Sequence, residues 1–137
     1  MKAVLDTNVW LSGLFWGGAA SRIIEIAEKG KIKLLISEEI INEIVRVLKR
    51  EDKFQKFIEE FDNKVEDLVR FISFICEFVE ISGELDIVKE DKSDNMILET
   101  ALEGAADYLV SYDNHLLVLK EFKGVKIVKP EEFLSLT

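Results

Sequence analysis

Short apolar segments alternate with helix-like segments along most of the chain, and this alternation limits its fold more than any other feature. Residues 2–5, 32–36, 108–111 and 125–128 are apolar runs of strand length, and residues 78–81 form a possible further strand. Strands that alternate with helices form a parallel sheet covered by helices on both faces. The sequence therefore predicts an α/β fold with a parallel sheet.

The helical segments have apolar residues at three- and four-residue spacing and recognisable ends. Gly30 is suited to end the first of them, and the Ser37 hydroxyl is suited to cap the start of the second. The predicted helices cover residues 19–29, 38–50, two segments within 54–78 divided near 62–63, 94–103 and 114–120.

The length and composition indicate one compact domain. With 137 residues and 48% hydrophobic content, residues 1–137 suit a single core. No apolar run approaches the roughly 20 residues that cross a bilayer, and the start lacks a signal peptide pattern, so we expect a cytoplasmic protein with no membrane partner. The single cysteine, Cys76, has no disulfide partner and is predicted to be buried in the core.

The net charge of −9 is unevenly distributed and argues at first against a nucleic-acid partner. Residues 1–50 carry eight Lys and Arg against six Asp and Glu, whereas residues 51–137 carry ten against twenty-one. An acidic half is typical either of a solvated surface or of clustered carboxylates that bind divalent cations. The positions of the acids must separate these two interpretations.

Three aspartates follow strands or open the next helix. Asp6 follows the first strand, Asp113 follows the strand at 108–111, and Asp94 opens a helix. Ligands of parallel α/β sheets bind beyond the carboxyl ends of the strands, so these three positions are suited to a common site. Asp107 begins its strand, about 20 Å from Asp113 at about 3.3 Å per residue, and is rejected.

Glu43 is a fourth candidate because of its place on a helix. With Ile40 at 0° and about 100° per residue, Val47 lies at about 340° and Glu43 at about 300°, beside the apolar stripe. Taken singly, each aspartate is best explained as an N-cap and Glu43 as a solvated residue. Carboxylates brought together repel each other, and Mg²⁺ or Mn²⁺ relieves this repulsion.

Other residues suggest no alternative chemistry. The sequence lacks phosphate-loop, dinucleotide-binding, zinc-protease and serine-hydrolase motifs. His115 has no second histidine and is interpreted as a surface residue at a helix start. In the aromatic segment at 9–18, Trp10 is predicted to be core, whereas Phe15 and Trp16 are suited to a dimer or partner contact.

The chain resembles the PIN-domain nucleases, in particular the toxin components of toxin–antitoxin systems that are related to VapC. The resemblance covers nearly the whole chain, and its specificity comes from the order and spacing of several short segments. These segments are Val4-Leu5-Asp6-Thr7-Asn8-Val9, Trp16-Gly17-Gly18, Ile36-Ser37-Glu38-Glu39-Ile40 with Glu43 beyond it, residues 94–101, and Ala106-Asp107-Tyr108-Leu109-Val110-Ser111-Tyr112-Asp113.

The resemblance implies a three-layer α/β/α sandwich with a central, mainly parallel sheet and an enzyme that uses Mg²⁺ or Mn²⁺ to hydrolyse phosphodiester bonds in RNA. The implied catalytic residues are Asp6, Glu43, Asp94 and Asp113, with Asp6, Asp94 and Asp113 as metal ligands. Ser111 and Asn8 are implied as supporting residues. An antitoxin protein and a second copy of the chain are the implied partners.

The chain departs from this family pattern in one loop. The family often has Asp-Pro-Asp-Asp-Asn, whereas this chain has Asp91-Lys92-Ser93-Asp94-Asn95. A slip in this loop would exchange the roles of Asp91 and Asp94, so Asp91 stays a supporting candidate. Asp94 is preferred because residues 96–101 follow it in helical register.

The substrate contacts and the biological role leave alternatives. Basic residues near Glu43 either hold the RNA backbone or form a solvated face; they are Arg46, Lys49, Arg50 and Lys53. Besides a toxin, a housekeeping RNA-processing nuclease and an inactive PIN-like module that binds RNA or protein fit the same residues. A phosphatase is disfavoured because Asp6-Thr7-Asn8 lacks the D-x-D pattern.

Overall fold

A six-stranded sheet forms the centre of the structure, a computed structural model that describes residues 1–60, 65–86 and 92–137. The strand order is β3-β2-β1-β4-β6-β5, and every neighbouring pair is parallel except β5 with β6. The strands are β1 (Lys2–Leu5), β2 (Lys33–Ile36), β3 (Cys76–Phe78), β4 (Tyr108–Val110), β5 (Glu121–Phe122) and β6 (Val125–Val128). The predicted mainly parallel sheet is confirmed.

Helices cover the sheet and complete the three-layer α/β/α sandwich. Helix α6 packs against β1, β2 and β4, and helix α8 packs against β4 and α2. The helices in the described ranges are α1 (Thr7–Phe15), α2 (Gly18–Glu28), α3 (Glu38–Arg50), α4 (Asp52–Glu60), α5 (Val65–Ile75), α6 (Lys92–Glu103), α7 (Asn114–Leu117) and α8 (Pro130–Ser135).

Strand β1 lies at the position where the order of the strands reverses. The chain passes from β1 to β2 and β3 on one side, and then returns to place β4 on the other side of β1. The register aligns Leu5 with Val110, the last residues of β1 and β4. A crevice at the carboxyl ends of two such strands is where parallel α/β sheets bind ligands. Residues 6 and 111, which follow these strands, therefore lie side by side.

The core lies between the sheet and its helices. Strands β1 and β2 each bury three consecutive apolar residues, as expected for strands covered on both faces. Trp10 is fully buried, which confirms the prediction of a core residue. Helices α1 and α2 approach closely at Gly13, where an added Cβ would lie 2.5 Å from the Ile24 side chain and 2.9 Å from the Ala20 carbonyl oxygen.

The third strand begins two residues before the predicted position. It covers Cys76–Phe78 instead of 78–81, because α5 ends at Ile75 and the chain enters the sheet without an intervening loop. Cys76 is consequently partly buried in an edge strand and not in the centre of the core, and burial raises the pKa of its thiol to about 12. This thiol is therefore protonated and inert at neutral pH.

The last predicted helix is shorter in the structure. Helix α7 ends at Leu117 and not at residue 120, since Lys120 has a φ of +60° and the chain forms the antiparallel pair of β5 and β6. The sequence did not predict α1, β5 or α8. The predicted helix break near 62–63 lies outside the described residues.

Candidate functional site

Asp6 is buried at the point where β1 ends and α1 begins, with a side chain that is only 4% exposed. Its Oδ1 accepts a hydrogen bond of 2.9 Å from the Val9 amide and so caps α1. Its Oδ2 accepts a hydrogen bond from the Ser111 hydroxyl, and Ser111 Oγ accepts the amide of Asp113 at 2.9 Å. Ser111 therefore fixes the position of the first predicted acid relative to the last.

Asp113 caps α7 and lies near two further groups that could bind a metal. Its Oδ1 accepts the His115 amide at 2.8 Å and lies 3.8 Å from the Nδ1 atom of the same histidine. Asp94, in the first turn of α6, is 4% exposed, and one donor atom each of Asp94, Asp113 and His115 lie within 4.8 Å of one another. The donor set combines oxygen with one imidazole nitrogen.

Glu43 is half-buried on α3 and points one oxygen inward. Its Oε2 is inaccessible to solvent and has no hydrogen-bond partner among the residues that the structure describes. Helix α3 is anchored at its start, since Ser37 Oγ accepts the Ile40 amide at 3.4 Å and the hydroxyl of Thr100 on α6 at 2.8 Å. Because a buried carboxylate oxygen without a donor is costly, Glu43 is suited to bind a cation or a proton donor.

The charges of Glu43 and Asp113 act on the buried carboxyl group of Asp6. The pKa of Asp6 is raised from 3.8 to about 6, mainly by burial, with smaller increases from the charges of Asp113 and Glu43. The hydrogen bonds from Ser111 and Val9 act in the opposite direction and lower this pKa. The crevice thus concentrates negative charge in a poorly solvated place, which favours a bound divalent cation.

The arrangement fits a metal ion in its donor types and spacing. Ligand atoms at about 2.1 Å from an octahedral ion lie about 3.0 Å apart when adjacent and about 4.2 Å apart when opposite. The donor atoms of Asp94, Asp113 and His115, within 4.8 Å of one another, are near this range. His115 is exposed at the helix start, as predicted, but no sequence pattern predicts that it lies near the acids.

Glu99 is a buried carboxylate that the sequence analysis missed. It is 5% exposed on α6 and accepts hydrogen bonds from the Gly83 amide at 2.9 Å, the Leu85 amide at 3.0 Å and the Ser82 hydroxyl at 3.2 Å. Burial raises its pKa, but these donors outweigh burial and hold the pKa below 4.5. Glu99 thus fixes the segment after β3 to the helix that bears Asp94.

The structure shows where most of the remaining residues that the sequence analysis considered lie. Asn8 is exposed two residues after Asp6, and it is Ser111 that makes the hydrogen bond to Asp6. Asp91 lies outside the described residues. Asp107 is at the far end of the sheet, where its Oδ2 accepts the Lys2 amide at 2.9 Å. The basic candidates are all exposed: Arg46, Lys49 and Arg50 lie on α3, and Lys53 lies on α4.

None of the described helices combines the length and the apolar character needed to cross a membrane.

Comparison with curated proteins gives no match. Among solved structures, the chain is similar to one in the crystal structure of VapBC2 from Rickettsia felis bound to a DNA fragment from their promoter, with a TM-score of 0.64 and 16% identity over 93% of this chain and 97% of the other. This similarity confirms the fold. The model of the PIN domain family matches residues 2–115, and the chain therefore belongs to the PIN-domain family.

Proposed function

We propose that the protein is a ribonuclease that uses a divalent metal ion to hydrolyse phosphodiester bonds in RNA. The observation that carries the proposal is the convergence of carboxylates from separate elements at the reversal of strand order. Asp6 follows β1, Asp113 follows β4, Asp94 lies in the first turn of α6 and Glu43 lies on α3. Membership of the PIN-domain family supports this function.

Asp6, Asp94 and Asp113 would hold the ion, with His115 as a further ligand. When bound, the ion would lower the pKa of a water molecule and neutralise negative charge on the phosphoryl oxygens. Glu43, a half-buried carboxylate whose charge acts on Asp6, would accept a proton from the attacking water. The water oxygen would form the new bond to phosphorus while the bond to the departing ribose oxygen breaks; that oxygen would leave with the bonding electron pair and take up a proton from solvent.

The donor set favours Mn²⁺ over Mg²⁺. Mg²⁺ prefers oxygen ligands in near-ideal octahedral geometry, whereas imidazole nitrogen suits transition metals better. His115 lies within reach of the same point as Asp94 and Asp113. We therefore expect both ions to support activity and Mn²⁺ to bind more tightly, as measured by calorimetric titration of the metal-free protein with each ion.

The central test is cleavage of single-stranded RNA by the purified protein. We expect cleavage with Mn²⁺ or Mg²⁺ and none with EDTA. Replacing Asp113 with asparagine removes a charged ligand while keeping a similar shape, so the rate should fall at least about 100-fold. Rates are measured with an end-labelled oligonucleotide at saturating Mn²⁺, and Mn²⁺ affinity is measured in parallel by calorimetry.

Asp107→Asn is the matched control, because the same change is made at the other end of the sheet. This variant should cleave and bind Mn²⁺ as the unmodified protein does. Full activity of Asp113→Asn would refute the assigned site. Inactivity of the unmodified protein with every divalent ion, despite intact RNA binding, would favour the inactive binding module.

We further propose that the nuclease is the toxin of a toxin–antitoxin pair, works as a homodimer and has an antitoxin protein as its partner. The support for the toxin role and the antitoxin partner is the similarity in shape to a chain of the VapBC2 structure, whereas the homodimer is what the resemblance to VapC-related toxins implies. A small reading frame should then lie beside its gene, and the encoded protein should form a complex with this chain and block RNA cleavage. Absence of such a frame would favour a housekeeping RNA-processing nuclease. The oligomeric state is measured by light scattering.

A further inference from the structure

A small cavity lies between α1, the helix that follows Asp6, and α3, the helix that bears Glu43, and its lining includes an exposed tryptophan. Its volume is about 150 Å³, and it is lined by residues of α1, α3 and α4 with the segments that join them, among them Asn8, Val47, Trp16 and Lys53. Asn8 is two residues after Asp6, and Val47 is one helical turn after Glu43. The cavity thus lies on the same side of α3 as Glu43 and extends to Trp16.

Trp16 is an exposed aromatic ring that its neighbours hold in place. It is 60% exposed, and its ring centroid lies 6.0 Å from that of Phe15 and 5.3 Å from that of Phe54. The Lys53 ammonium group lies 5.4 Å from the centroid of the Trp16 ring. A supported ring beside a cation is suited to stack against a nucleobase while the cation contacts a phosphate.

The surface next to Trp16 is basic although the chain as a whole is acidic. Residues 46–56 contain five basic and two acidic side chains, a local excess of three positive charges in a protein of net charge −9. All five basic side chains are exposed, and Arg46 and Arg50 follow Glu43 at spacings of three and seven residues on the same side of α3. Lys53 pairs with Glu51 at 3.4 Å in an exposed ion pair, which a phosphate could readily replace.

We infer that Trp16 and Lys53 form a binding subsite for an unpaired base and its phosphate in single-stranded RNA. The inference rests on the proposed ribonuclease function and adds a place for the substrate. Along α1, ten residues at about 1.5 Å each separate Trp16 from Asp6 by about 15 Å. This distance is about four nucleotides at a spacing of about 3.4 Å and fewer in an extended strand. The Trp16 subsite therefore binds a base a few nucleotides from the scissile bond.

RNA binding without cleavage tests this subsite. A fluorescein-labelled single-stranded oligoadenylate of about ten nucleotides is titrated in EDTA, and affinity is measured by fluorescence anisotropy. We expect Trp16→Ala to weaken binding about tenfold, because stacking of one base contributes about that factor. Trp16→Phe should keep most of the affinity, since it retains a ring. RNA should quench the tryptophan fluorescence of the unmodified protein. This quenching can be assigned to the exposed Trp16, because Trp10, the other tryptophan, is buried.

Phe74→Ala is the control for loss of an exposed ring. Phe74 is 87% exposed near the end of α5, before β3 begins, at the opposite end of the sheet from the acids. Unchanged affinity of Trp16→Ala in a protein that cleaves RNA would overturn the subsite and leave the nuclease function intact. If the unmodified protein neither bound nor cleaved RNA, both the subsite and the nuclease function would be overturned. Loss of a dimer in Trp16→Ala, with RNA affinity unchanged, would assign this surface to a second copy instead.

Discussion

Replacing Asp6 with asparagine is expected to stabilise the metal-free protein while abolishing its nuclease activity. Asp6 is 4% exposed and its pKa is raised from 3.8 to about 6, so its negative charge at neutral pH destabilises the folded state. At about 1.4 kcal/mol per pKa unit, the shift corresponds to an upper limit of about 3 kcal/mol. Asparagine can keep the cap on Val9, and we expect a gain of about 1–3 kcal/mol in the free energy of unfolding by urea titration in EDTA at pH 7.5.

The pH dependence of this gain has a defined sign. Because the pKa of Asp6 is higher in the folded than in the unfolded protein, its contribution to stability is fully present below about pH 4 and is lost as the pH rises through about 6. The advantage of Asp6→Asn should therefore be largest above pH 7 and shrink towards pH 4. A constant difference between the two proteins over this range would contradict a buried charge at Asp6.

Bound metal should make the unmodified protein more stable than Asp6→Asn, the reverse of the order without metal. An ion held by the carboxylates stabilises only a folded site that can bind it, by about 2.7 kcal/mol at a concentration 100 times its dissociation constant. Saturating Mn²⁺ should thus stabilise the unmodified protein and leave Asp6→Asn nearly unchanged. The same titration of Asp107→Asn, in which the site is intact, should match the unmodified protein.

The residues that sequence analysis identified depend on local signals. Asp6 and Asp113 each follow an apolar strand and cap the next helix, so chain position alone predicts that they lie at the same edge of the sheet. The structure confirms the predicted strands at 2–5 and 125–128. They are predictable from the sequence because turn residues bound their apolar runs. The helical period of α3, which is strongly amphipathic, predicts Glu43 as a candidate at the edge of the buried face.

The features that sequence analysis missed depend on distant contacts or on weak local signals. Helix α1 buries Val9, Trp10 and Leu11 in succession and so lacks the amphipathic period that predicts a helix. The partners of Glu99 are 14 to 17 residues away, and the hydrogen bond between Thr100 and Ser37 joins residues 63 positions apart. No spacing rule for helices or strands predicts such pairs.

Replacing Glu99 with alanine is expected to destabilise the protein by about 3 kcal/mol. Its carboxylate accepts hydrogen bonds from two backbone amides and one hydroxyl, and hydrogen bonds to a charged group contribute about 1.5–3 kcal/mol each, less what solvent recovers. Hydrogen exchange of the Gly83 and Leu85 amides should accelerate in this variant. Glu103→Ala is the matched control, because Glu103 is exposed one turn later on the same helix.

The pH dependence of Glu99→Ala should be opposite to that of Asp6→Asn. The pKa of Glu99 is lowered in the folded protein, so its contribution to stability is present above about pH 4.5 and is lost as the pH falls through the folded pKa. The loss in Glu99→Ala should therefore be full at pH 7 and shrink in acid. Glu99→Gln, which keeps one acceptor oxygen, should lose about half as much. The charge of Asp6 thus destabilises the metal-free fold and is suited to metal binding, whereas the charge of Glu99 stabilises the fold and anchors the chain. If the loss of stability in Glu99→Ala were as large at pH 3 as at pH 7, this distinction would be contradicted.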